Sequence, residues 1–322
     1  MQLPLWFSLW QSLDSLLAIA LNAAEAFPFL LFLCLFLFRS RRAPFLADSG
    51  RIFLKLGLIC AVIGAADLLL RGLVDLEFLP AALDKLEPLP FEPFSSPWLG
   101  TTTTLAAWIA GIVLLYLTGN GARTLFLTSG MGTDEVTARR LSKKAGLLSA
   151  GAFIAFVCFF ASIITRNWPF LGLPEQMTQQ RVAEVLFAHA WRMTCGSLMP
   201  AGALAILAFF FSITNGTFRN ASGDEKKPAL LEDEDARTLR MICAAAIAGS
   251  AFQFLDAGFV AFSYSSGLGV GIKSSLMRFG PFFTTGLSLA CWVFLFARPR
   301  RDAFFLALLP VLLILFKAAL RF

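Results

Sequence analysis

The stretch QRVAEVLFAHAWRMTCGSLMPAGALAILAFF, residues 180–210, decides the fold class. After a polar entry it carries no charge from Met193 to Phe210. An apolar run of about 20 residues is what a helix needs to cross the hydrocarbon core of a bilayer. His189, the only histidine of the 322-residue chain, sits near its start, three residues before Arg192. A titratable ring in such a run is either a packing element or a functional group.

The same pattern recurs along the chain. Eight apolar runs predict helices at about 14–38, 52–73, 99–118, 145–165, 182–213, 241–264, 276–297 and 303–320. Hydrophobic residues make up 57% of the chain and charged residues 15%, well under the roughly 25% of a soluble globule. Phe occurs 35 times and Tyr twice, which suits a surface facing lipid. The net charge of +6 comes from short basic clusters between apolar runs, so it encodes orientation and not nucleic-acid binding. The six cysteines fall in six different runs without a CxxC pair. No c-type haem attachment, zinc site or disulfide framework is therefore expected. The start, MQLPLWFSLWQSLDS, has no basic segment, so a cleavable signal peptide is not expected. The expected fold is all-α: one transmembrane domain over 1–322, a polytopic helical bundle in a bacterial inner membrane.

Orientation follows from charge. The connections after the first, third, fifth and seventh runs hold 17 of the 27 basic residues, from Arg39 to Arg301. The other side is sparse and includes the acidic segment 74–98, with Asp75, Glu77, Asp84, Glu87 and Glu92. Basic connections stay inside, which puts both termini outside.

Charged side chains within a membrane are costly and need a partner or a task. The candidates are Asn22 and Glu25 in the first run, Asp67 and Arg71 in the second, and Glu184, His189 and Arg192 in the fifth. Gln253 and Asp256 follow in the sixth, and Lys273 and Arg278 open the seventh. On the predicted orientation nearly all of them fall in the outer half. This argues against a continuous ion or proton path. Asp67 and Arg71 are spaced to pair on one helical face. Glu25 is the deepest carboxyl group. Glu25, Asp67 and Asp256 are the proton-handling candidates.

For His189 three readings stay open: a hydrogen-bonded packing group, a proton relay, or a ligand to a metal or haem iron. A second axial ligand cannot be another histidine of this chain. Met193 lies on the same helix and cannot reach the opposite face of a haem. Met277, at the outer start of the seventh run, has a suitable depth. Arg192 and Arg278 are placed to meet anionic haem propionates.

These features, in this order, resemble subunit I of the cytochrome bd-type quinol oxidases. Residues 180–210 resemble the helix that carries an axial haem-b histidine there, and SSLMRFG (274–280) is similar to the segment with the second ligand, a methionine beside an arginine. SGRIFLKLGLICAVIGAADLLLRG (49–72) and RNWPF (166–170) also resemble family segments. The departures are in the oxygen-reducing part. NAAEAFPF (22–29) has Ala23 about where a haem-ligating histidine would stand. TTTTLAAWIAGIVLLYL (101–117) lacks the family's glutamates, and SSGLGVGIKSS (265–275) replaces its long quinol loop.

The resemblance implies an electron-transfer subunit with one haem b, held by His189 and Met277, and a quinone as substrate. It implies passage of electrons to a periplasmic partner such as a multihaem cytochrome c, within a quinol:cytochrome c-type oxidoreductase complex, without oxygen reduction. The acidic segment 74–98 would dock a basic partner. The alternatives are a haem-free structural anchor subunit and a transporter. A copper site from His189, Met193, Cys195 and Met199 is disfavoured because that spacing spreads them around the helix.

Overall fold

Each apolar run folds as one helix, and most of the helices extend well past their runs. The computed structural model describes residues 5–41, 43–83, 97–127, 135–167, 179–214, 231, 233–263, 272–300 and 302–319. The helices are α1 (Leu5–Arg41), α2 (Pro44–Leu83), α3 (Pro97–Leu127), α4 (Glu135–Asn167), α5 (Gln179–Thr214), α6 (Asp233–Ser263), α7 (Ile272–Ala297) and α8 (Phe304–Ala319).

The extensions correct the expected connections. Residues 39–41 and 44–51, read as a loop, are helical, in α1 and α2. Asp75 and Glu77 belong to α2, because DLEFLPAAL is rich in good helix formers. Asp84, Glu87 and Glu92 lie outside the described residues. Of the segment 214–240, the last eight residues form the start of α6. Asp233, Glu234 and Asp235 occupy its first turn, where the helix dipole favours negative charge.

Among the described residues, seven helices are long and apolar enough to cross a membrane. The eighth, α8, has 16 residues; at 1.5 Å per residue it spans about 24 Å, less than a full hydrocarbon core of about 30 Å. The fold is an all-helical, multi-pass membrane bundle.

The helices pack as two rings of four. In the first, α1 packs on α2 and α4, and α3 packs on α2 and α4. In the second, α5 packs on α6 and α8, and α7 packs on α6 and α8. The rings join mainly where α1 meets α5, with α2–α6 and α4–α5 contacts flanking. The interior of the first ring is filled by aromatic side chains: Phe27, Trp108 and Phe159 are fully buried. Trp108 and Phe159 meet edge to face at 4.5 Å. The Trp108 indole N–H donates to the Ala61 carbonyl at 2.9 Å, tying α3 to α2. That bond matters because hydrocarbon offers the indole no other acceptor. Gly64 of α2 makes room for this ring: a Cβ there would stand 2.6 Å from it.

The basic residues collect at one end of both rings. Arg51, at the start of α2, donates to the Phe126 carbonyl at 2.7 Å. Arg240, at the start of α6, donates to the Phe296 carbonyl at 3.2 Å. Each guanidinium thus satisfies a carbonyl in the last turn of a neighbouring helix, the orphan and negative end of the dipole. Ser142 of α4 likewise donates to the Arg39 carbonyl in the last turn of α1. We call this the basic end and the opposite one the far end; the positive-inside rule assigns the basic end to the cytoplasmic side.

Candidate functional site

The polar residues of the second ring gather on the seam between α5 and α6. These helices run antiparallel and approach closely through small residues, as membrane helices do. At Gly202 an added Cβ would stand 2.5 Å from the Ala246 Cβ and 2.6 Å from its Cα. At Gly249 it would collide with the backbone of Leu198 and Met199. The Gln253 amide donates to the Gly196 carbonyl at 2.7 Å. One turn further toward the far end, the Arg192 guanidinium forms an ion pair with the Asp256 carboxylate. Asp256 and Arg192, expected as a proton acceptor and a propionate partner, are thus brought together.

His189 shares this stripe. It precedes Arg192 by three residues and Gly196 by seven, so the helical period puts all three on the face toward α6. It is half-buried. The register set by the Arg192–Asp256 and Gln253–Gly196 pairs puts it level with Phe259 of α6. On α7, the contacts of Gly258 with Phe282 and of Gly286 with Phe254 set a second register. In it Met277 lies level with position 263, about one turn, or about 6 Å, beyond the His189 level toward the far end. The side chains of Lys273, Met277 and Arg278 are outside the described residues. In ring order α5 and α7 are diagonal neighbours.

The remaining candidates lie in the first ring. Glu25 is 1% exposed on α1, among Ala23, Ala24, Ala26 and Phe27, all fully buried. Asn22 is half-buried nearby. On α2 the Arg71 guanidinium donates to the Asp67 carboxylate at 2.8 Å, as the spacing predicts, with the Asp67 side chain fully buried. Glu184 is exposed on α5. The proton-handling candidates therefore separate: Asp256 is on the α5–α6 seam, and Glu25 and Asp67 are in the other ring.

Removing the charge that balances Asp67 has a calculable consequence. Breaking a buried pair on one side costs about 3–5 kcal/mol, whereas replacing both partners costs far less. Arg71→Met is therefore expected to destabilise the chain by several kcal/mol. Asp67→Asn combined with Arg71→Met is expected to recover most of that loss in thermal unfolding in detergent. A double variant no more stable than Arg71→Met alone would contradict the pairing.

An imidazole is a standard haem-iron ligand, and His189 has that chemistry at a half-buried position. Among the described residues no three His, Cys, Asp or Glu side chains converge to hold a bare metal ion. The residues that sequence reasoning passed over are Gly196, Gly202, Ala246 and Gly249. Their signal is the small-residue runs PAGALA and AAAIAGSA in residues 200–205 and 244–251, but their meaning needs the partner helix. No protein-family model matches the chain, and no curated protein and no solved structure matches it either.

Proposed function

We propose that this chain is an electron-transfer subunit of a bacterial inner-membrane complex, holding one haem b near the outer face. Its quinol donor and its periplasmic acceptor, a multihaem cytochrome c, make it part of a quinol:cytochrome c-type oxidoreductase. The observation that carries this reading is the position of His189. The chain's one imidazole lies half-buried at the far end of the second ring, on the α5 face toward α6 with Arg192 and Gly196, opposite Gln253 and Asp256 of α6.

His189 of α5 and Met277 of α7 would hold the iron. The diagonal relation of those helices supports a group bound between them. The haem supplies a one-electron couple, and methionine–histidine ligation raises its potential. Arg278 and Arg192 would face the propionates, with Arg192 held in place by Asp256. Glu25, Asp67 and Asp256 would accept protons released by the quinol. The aromatic filling of the first ring by Phe27, Trp108 and Phe159 supports a single haem. One haem suits stepwise transfer and not the four-electron reduction of oxygen.

A second reading, a haem-free anchor subunit, is favoured by the ion pairs. Arg192 with Asp256 and Arg71 with Asp67 neutralise four of the intramembrane charges within the protein, which is what a scaffold requires. The pyridine haemochrome spectrum of the purified chain separates the two. One haem b per chain supports electron transfer. A colourless chain that still co-purifies with its partners supports the anchor.

A further inference from the structure

The groove between α1 and α4 is lined by phenylalanine along most of its length. Phe36, Phe32 and Phe29 descend α1 from the basic end, and Phe153, Phe156 and Phe160 descend α4 beside them. The rings touch across the groove, Phe32 with Phe153 and Phe29 with Phe156, each with centroids 5.4 Å apart. The run ends where Phe160 meets Phe187 of α5. Phe36 and Phe153 are 52% and 45% exposed, so the phenylalanine seam presents an apolar face on the outside of the bundle. From Gly146 to Phe160 it extends about 21 Å at 1.5 Å per residue.

Its mouth at the basic end is positively charged and held in place. The Arg39 side chain lies on α4 over Gly146, where an added Cβ would stand 3.6 Å from its Cδ and Nη1. The Arg39 carbonyl accepts from Ser142, and the exposed Lys143 is next in the chain. Neither the Arg39 guanidinium nor the Lys143 ammonium has an acidic partner among the described residues. Two exposed cations therefore sit at the head of the apolar phenylalanine face, at headgroup level.

We propose that this groove is a binding site for an anionic phospholipid of the basic-end leaflet. The phosphate meets Arg39 and Lys143, and one acyl chain lies along the phenylalanine run. The charge complementarity selects an anionic headgroup, and the length of the apolar phenylalanine face selects a chain-bearing lipid.

Native mass spectrometry of the full-length chain, released from detergent with phosphatidylglycerol or phosphatidylcholine added, tests this. The wild type is expected to retain phosphatidylglycerol about 25-fold better, about fivefold for each of the two cations. Each cation removed is expected to weaken that retention by about fivefold, the equivalent of about 1 kcal/mol per basic residue at a membrane surface. Arg39→Gln with Lys143→Gln should therefore approach the phosphatidylcholine level. Arg237→Gln with Arg298→Gln, which removes two charges elsewhere at the same end, should leave retention unchanged. If the first double variant does not fold, Phe36→Ala keeps every charge and is expected to reduce retention of the same lipid. Equal retention of both lipids by the wild type, or equal losses in the two double variants, would overturn the proposal.

Discussion

Alanine at His189 is expected to remove the haem-b Soret and α bands of the purified chain, from about one haem per chain to less than a tenth. With no other histidine in the sequence, no imidazole can replace the lost ligand. Alanine at Met277 is expected to act differently. The iron keeps its histidine, so haem is retained, and its potential falls because the ligand that raises it is gone. Asp256→Asn leaves both axial residues in place. It is expected to preserve the spectrum while loosening Arg192. Haemochrome quantification with a redox titration distinguishes the three variants. Haem bands unchanged in His189→Ala would exclude His189 as a haem ligand, and a colourless wild type would leave the anchor reading.

The largest effect on stability is expected at Gly249. The methyl group of an alanine there would collide with main-chain atoms of Leu198 and Met199, and a helix backbone cannot turn aside as a side chain can. The two helices must separate, which lengthens the Gln253–Gly196 bond and strains the Arg192–Asp256 pair. Overpacking in a core costs about 1–3 kcal/mol when side chains can adjust. Gly249→Ala is expected to exceed about 3 kcal/mol, with Gly202→Ala close behind for its collision with Ala246. Gly258→Ala is the control. Its methyl group would meet the edge of the Phe282 ring at 3.2 Å, and that ring can move by a few tenths of an ångström. Thermal unfolding in detergent reads the comparison; a Gly249→Ala variant as stable as Gly258→Ala would show that the seam tolerates separation.

Much of the fold is legible in sequence because hydrocarbon imposes a strong rule: uncharged runs of about 20 residues must be helical. The ends of the helices are not legible in the same way. Water and headgroups satisfy backbone groups there, so DLEFLPAAL is free to continue α2, and α1 is free to run on to Arg41. Within the site, the Asp67–Arg71 pair is legible because it needs only the helical period. The Arg192–Asp256 pair is not. Sequence alone leaves Arg192 free to snorkel or to meet a propionate, and its actual partner depends on the register between α5 and α6. That register is set by Gly196, Gly202 and Gly249, residues that carry no chemistry of their own.

The two rings also bear on how the chain is made. Each is built from four consecutive helices, so α1 to α4 hold all the partners needed to close the first ring, with Trp108 already bonded to Ala61, before α5 leaves the ribosome. A chain synthesised from its N-terminus folds in that order. His189 and its neighbours then enter beside a finished wall: the α1 surface against which α5 packs is in place when the polar seam arrives. The costly intramembrane charges of α5 therefore face lipid alone only until α6 delivers Asp256.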